Sequence, residues 1–205
     1  MAPRRRLAPR PAGLLLAPGA GSDRNHHSLV AIEDAVAPMP VRRVDFPYRI
    51  AGRRAPDRAP VLLAALRREA EAFAAELGVG TDRLVLGGRS MGGRMASMLA
   101  AGGPDAGDAL PVAGLVLISY PLHPPGKPAN LRIAHLPSLA VPCLFVHGTA
   151  DPFGSPPEMS EHLAVIGGAV TTVWIDGGRH DLNGADARIA ADVVAWLASD
   201  FRPAG

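Results

Sequence analysis

One stretch limits the folds open to this chain more than any other. Leu84-Val85-Leu86 is a short apolar run that enters Gly87-Gly88-Arg89-Ser90-Met91-Gly92-Gly93-Arg94 without a break. Met91, Met95, Met98 and Leu99 then recur on one face at helical spacing. A buried strand therefore turns straight into an amphipathic helix. Ordinary side chains would hold the two elements apart, whereas glycines let the backbones approach closely. Such a unit belongs to a sheet covered by helices.

The rest of the chain repeats the theme. Leu14–Ala17, Gly114–Ser119 and Cys143–His147 are further short apolar runs with little alternation, as expected of parallel strands covered on both faces. Val41–Tyr48 and Val170–Ile175 alternate more and read as strands nearer the edges. Leu63, Leu66, Ala70, Phe73 and Leu77 mark one helix. Ile189, Val193, Trp196 and Leu197 mark another, with Asp186 at its start. Segments 101–113 and 121–142 are rich in Gly, Pro and small residues and read as loops or short helices. The expected fold is α/β, with a compact, mostly parallel central sheet of about six strands, helices on both faces and no lid domain.

Composition narrows the function. The chain has 205 residues, enough for one domain. No apolar run approaches the roughly 20 residues of a membrane span. Of the 21 basic residues, Arg4, Arg5, Arg6 and Arg10 lie in the first ten positions, and the other 17 face 19 acidic residues. The charge is thus a basic arm rather than the stripe on a fold that nucleic acid requires. Residues 1–12 are expected to be a disordered basic arm, and 13–205 a single domain. The start is Arg-rich, but its Leu14-Leu15-Leu16 run stops at Pro18-Gly19, shorter than a secretory signal needs. Cys143 is the one cysteine, so no internal disulfide and no thiolate zinc site is possible, which suits a cytoplasmic protein.

Gly88-x-Ser90-x-Gly92 carries the chemistry. A serine on a tight turn between strand and helix stands above the sheet, near the positive end of the helix. The backbone N–H of Met91 then points where an oxyanion would form. The competing reading is a Gly-rich helix start that merely packs tightly. A phosphate-binding loop would need Gly-Lys-Ser/Thr, and a dinucleotide site would need a third glycine or alanine where Arg24 stands.

A serine needs a base, and the base an orienting acid. His180 follows Val170–Ile175 in Gly177-Gly178-Arg179-His180, beyond the carboxyl end of a strand, where such sheets build their sites. His162 falls in a helical stretch. Asp151 follows Cys143–His147 through Gly148-Thr149-Ala150 and is the favoured acid. Asp176 and Asp181 compete, but near neighbours of a histidine rarely face its far nitrogen. The loop Ala17-Pro18-Gly19-Ala20-Gly21-Ser22 is placed to give a second oxyanion donor, with Ala20 the chosen residue; alternatively it is an ordinary β–α turn.

These motifs occur together and in order with Ser119-Tyr120-Pro121-Leu122-His123-Pro124-Pro125-Gly126-Lys127, His147-Gly148-Thr149-Ala150-Asp151-Pro152-Phe153 and Gly178-Arg179-His180-Asp181. From Leu14 to Phe201 the chain resembles small α/β-hydrolases related to dienelactone hydrolase. Within them it resembles the branch of testis-expressed and histone-acetyltransferase-complex-subunit hydrolase-like proteins and their bacterial relatives. The resemblance implies a Ser90–His180–Asp151 triad with oxyanion donors from Met91 and Ala20. Three departures stand out: Ser90 replaces the cysteine nucleophile of true dienelactone hydrolases, Pro18-Gly19 replaces a frequent His-Gly, and the first strand here is expected to match the third strand of the full fold, without its usual first hairpin.

Arg89 has two open roles, contact with a substrate carboxylate or phosphate and pairing with a neighbouring acid. His123 is a candidate for the mouth of the site. His26 and His27 read as a helix start, with pocket lining or a metal site as alternatives. The expectation is a cytoplasmic serine hydrolase, monomer or homodimer, acting on a small acyl substrate with no cofactor, metal, nucleic acid or membrane. The alternative is a catalytically silent scaffold on the same fold.

Overall fold

A computed structural model describes residues 10–201. Its centre is a sheet of six strands, all parallel, in the order β2-β1-β3-β4-β5-β6. These are β1 (Gly13–Ala17), β2 (Val41–Arg43), β3 (Leu84–Arg89), β4 (Gly114–Ile118), β5 (Cys143–Gly148) and β6 (Val170–Ile175). Strands β1, β3, β4 and β5 are buried throughout, while β2 and β6 are the partly exposed edges.

Helices α1 (His27–Val36), α2 (Pro47–Ile50), α3 (Ala59–Glu76), α4 (Met91–Ala101), α5 (Pro156–Leu163) and α6 (Asp186–Asp200) complete the fold. The period-two alternation of a strand sends neighbouring side chains to opposite faces. Leu15, Leu86, Leu117 and Phe145 pack under α3, α4 and α5. Leu14, Leu16, Val116 and Val146 pack under α1 and α6. Each central strand thus feeds two cores, which is why its sequence is apolar without interruption. None of the helices among the described residues is long and apolar enough to cross a membrane.

The structure changes two details of the expected fold. Val41–Tyr48 is a strand only over its first three residues. Val44 still bonds to the carbonyl of Leu16, but α2 begins at Pro47. Proline has no N–H for a sheet ladder and a φ ready for the first turn of a helix. Val44, Phe46 and Tyr48 are nevertheless all buried, so the alternation reflects burial of an extended segment and a helical turn. In addition, α1 lies between β1 and β2 as their crossover, which parallel neighbours require.

Most of the basic arm lies outside the described residues. Its last part joins the body: Ala12 N donates to the carbonyl of Arg83 at 2.7 Å, and the Arg83 guanidinium donates to the carbonyl of Arg10 at 2.9 Å.

Candidate active site

All the strands point the same way, so their carboxyl ends form one rim of loops. Ser90 leaves β3, Asp151 follows β5 and His180 follows β6. Ser90 has φ 51° and ψ −114°, in a region that costs a non-glycine residue energy and is tolerated where the surroundings enforce it. The Ser90 N–H donates to the carbonyl of Ile118, and the Ser90 carbonyl accepts from Arg94 N as α4 begins. A β-carbon on Gly88 would stand 2.0 Å from the Ala17 carbonyl oxygen, and one on Gly92 2.2 Å from the same atom. Strand, turn and helix all close on the end of β1, and only glycine leaves room.

His180 Nε2 lies 2.9 Å from Ser90 Oγ, and His180 Nδ1 lies 2.8 Å from Asp151 Oδ2. An ionised carboxylate only accepts, so Nδ1 carries the proton and Nε2 faces the serine hydroxyl as acceptor. Asp151 is 4% exposed. Its Oδ1 accepts from Phe153 N at 2.9 Å, and buried His147 lies 3.6 Å from Oδ2. Burial holds the His147 imidazole below its usual titration range, and its Nε2 donates to the Gly154 carbonyl.

Of the competing acids, Asp176 meets Thr149, and Asp181 accepts from Asn183. A second serine–histidine contact, Ser97 Oγ to His135 Nε2 at 2.8 Å, has a different character. Ser97 is fully buried, and its hydroxyl donates to the carbonyl of Arg94. It is therefore the acceptor from His135, whose pKa is lowered to about 4 by burial and by Arg94.

A cleft of about 790 Å³ opens over Ser90, lined among others by Ala20, Met91, Arg89 and His26. Gly19 packs closely beside the serine: a β-carbon there would stand 3.6 Å from Ser90 Cβ. The Ala20 carbonyl accepts from the buried Tyr48 hydroxyl at 2.8 Å, which anchors this loop.

Arg89 is 8% exposed and donates from Nη2 to the His180 carbonyl at 2.5 Å. It ties the histidine loop to the end of β3 while still lining the cleft. Burial pulls its pKa below the usual arginine range against Asp181, Asp151 and Asp186. His123, expected at the mouth, is 5% exposed and is not among the cleft-lining residues. Its Nδ1 bonds to the Pro124 carbonyl and its Nε2 lies 3.5 Å from Glu158, so packing against α5 turns it from the site. His26 caps α1 through Ser28 N and lines the cleft as well, while His27 pairs with Asp186. Among the described residues no group of three or more His, Cys, Asp or Glu side chains is placed to hold a metal ion.

Sequence reasoning passed over three supporting groups. The Phe153 ring stacks on His180, Tyr48 anchors the Ala20 loop, and His147 adjoins Asp151. His147 and Phe153 stand inside the motif around Asp151, but their contacts depend on the fold.

The alpha/beta hydrolase domain family matches residues 10–191. The chain belongs to that family. As an α/β-hydrolase it also shares its fold with solved structures of low identity. A dienelactone hydrolase from Anabaena variabilis is 20% identical, with a TM-score of 0.71 over 95% of this chain and 90% of that one. An alpha-beta serine hydrolase homologue from Coxiella burnetii is 18% identical, with a TM-score of 0.69 over 95% and 88%. Est1E from Butyrivibrio proteoclasticus, solved with ferulic acid bound, is 15% identical, with a TM-score of 0.68 over 94% and 90%.

Proposed function

We propose that this α/β-hydrolase is a serine hydrolase that cleaves an ester, thioester or similar small acyl substrate through an acyl-enzyme on Ser90. The carrying observation is the unbroken hydrogen-bond chain from Asp151 through His180 to Ser90 Oγ, ending at a strained serine at the head of α4.

Ser90 Oγ attacks the carbonyl carbon while its proton passes to His180 Nε2. Asp151 keeps the imidazole in the required tautomer and stabilises the imidazolium. The backbone N–H groups of Met91 and Ala20 serve the developing oxyanion. The bond to the leaving oxygen or sulfur breaks, and that atom takes the proton from His180. Water then gives a proton to Nε2 and attacks the acyl carbon, and Ser90 leaves with that proton. The branch-level likeness to testis-expressed and acetyltransferase-subunit proteins belongs to this reading, as does a cytoplasmic setting.

Fluorophosphonate labelling of wild type beside Ser90→Ala tests it. Labelling of the wild type that vanishes in the variant is expected. Folded wild-type protein that takes no label would overturn the reading.

A further inference from the structure

Most half-buried arginines on this fold have a partner. Arg42 meets Glu76, Arg43 meets Glu33, and the buried Arg89 meets a backbone carbonyl. Arg94 and Arg132 do not: among the described residues neither guanidinium forms an ion pair or hydrogen bond, and Arg94 Nε is buried with none. Both side chains are half-buried. Both line the Ser90 cleft, and both also line a second cleft of about 440 Å³, which runs past Met98 and Ile133. The two clefts therefore meet at this pair of cations.

Two guanidinium groups so placed repel each other in a medium that screens poorly. Burial and the charge of Arg94 together hold the Arg132 pKa below the usual arginine range. Nor do the carboxylates in the Ser90 cleft neutralise the pair. Asp57 is bound to Arg53 at 2.7 Å and Asp181 to Asn183 at 2.7 Å, while Asp151 lies behind His180. The nearby imidazole of His135 is neutral near pH 7, since its pKa is about 4. Asp105, which lines the second cleft, forms no ion pair with either arginine among the described residues, and planar guanidinium forks suit carboxylate and phosphate oxygens.

We infer that Arg94 and Arg132 form an anion subsite at the junction of the two clefts, which selects acyl substrates bearing an oxyanionic group, carboxylate or phosphate, on the part directed away from Ser90. This rests on the acyl-hydrolase reading for the reacting end. Arg94 is one helical turn beyond Ser90, on α4. Arg132 arrives on the connection between β4 and β5. The Arg132 backbone is held in turn, its N–H donating to the Leu122 carbonyl at 2.8 Å and its carbonyl accepting from the Tyr120 hydroxyl at 3.0 Å.

The experiment compares two p-nitrophenyl esters of matched length, one neutral and one ending in a carboxylate, on wild type, Arg132→Met and Arg132→Lys. Arg132 is the residue to change first because it lies on a loop and its bonds to Leu122 and Tyr120 are made by its backbone, whereas Arg94 lies within α4; circular dichroism checks each fold. The readout is the ratio of kcat/KM for the charged over the neutral ester. Wild type is expected to favour the charged ester, and Arg132→Met to cut the ratio by about 10- to 100-fold, the worth of a charged hydrogen bond. Arg132→Lys should recover part of it. Glutarate and inorganic phosphate, compared as competitive inhibitors, show which oxyanion the subsite takes. A ratio near unity that ignores Arg132 overturns the subsite and leaves the hydrolase reading intact. If neither ester turns over and Ser90 takes no fluorophosphonate, the hydrolase reading fails instead. Calorimetric titration with glutarate and phosphate then decides the subsite: binding lost in Arg132→Met keeps it, and no binding to wild type removes it.

Discussion

Phe153 lies flat against His180, with ring centroids 3.9 Å apart and an interplanar angle of 25°. The same residue donates its backbone N–H to Asp151 Oδ1. One residue therefore steadies both the imidazole and the carboxylate that orients it. Removing the ring leaves the backbone bond in place but frees the imidazole to tilt. Phe153→Ala is expected to lower kcat/KM for a short acyl ester by about three- to tenfold, in line with the worth of an aromatic contact. Phe153→Tyr should keep most of the activity. Steady-state kinetics on the three proteins check this.

Asp151 and Asp176 provide a sharper comparison. Asp151 is buried against His180 Nδ1, whereas Asp176 lies on the surface beside Thr149. Asp151→Asn keeps the shape but allows the wrong imidazole tautomer. Its kcat should fall about a thousand- to ten-thousandfold with the fold intact. Asp176→Asn should change kcat by no more than about twofold, as surface substitutions usually do. Equal losses in both variants would contradict the assignment of Asp151.

Gly92 tests the elbow by steric means alone. It lies in α4, where its φ is not in the left-handed region, so alanine would meet no backbone strain. Yet its β-carbon would stand 2.2 Å from the Ala17 oxygen and 2.7 Å from the Pro18 oxygen. Backbone atoms cannot rotate away as a side chain can. Gly92→Ala is expected to cost about 2 kcal/mol or more, read by urea unfolding, and to lose fluorophosphonate labelling because the oxyanion loop is displaced.

Acid should destabilise the protein through its half-buried imidazoles. His135 is shifted to a pKa of about 4 from 6.5, by burial and then Arg94, and His26 to about 4 by burial and then Arg89. Both folded values lie below the unfolded ones, so the unfolded chain binds more protons between about pH 6.5 and about 4. Stability is therefore full above that window and falls as pH drops through it. Urea unfolding across the window should show the decline. In His135→Gln, which has no proton to take up, the slope should be shallower.

The elbow was legible in the sequence because its causes are local. An apolar strand, a glycine on each side of Ser90 and a helical repeat of methionines sit within sixteen residues of one another, from Leu84 to Leu99. The places of Asp151 and His180 were legible because in a parallel sheet every strand end faces the same rim, so position after a strand implies position near the site. The two cores were visible in the unbroken apolar runs.

Other features depended on which distant segments meet. Sequence brought His123 toward the site, but packing against α5 turned it away. It left Arg89 between a ligand and an acid, and the fold gave its Nη2 the carbonyl of His180. Arg94 and Arg132 are far apart along the chain, and nothing local says that they share two clefts. Periodicity and position after a strand determined the sheet, the elbow and the rim of loops that carries Ser90, Asp151 and His180. Tertiary structure alone decided which polar atoms found partners and which charges were left facing the cleft, because hydrogen bonds and charge pairing depend on distance in space.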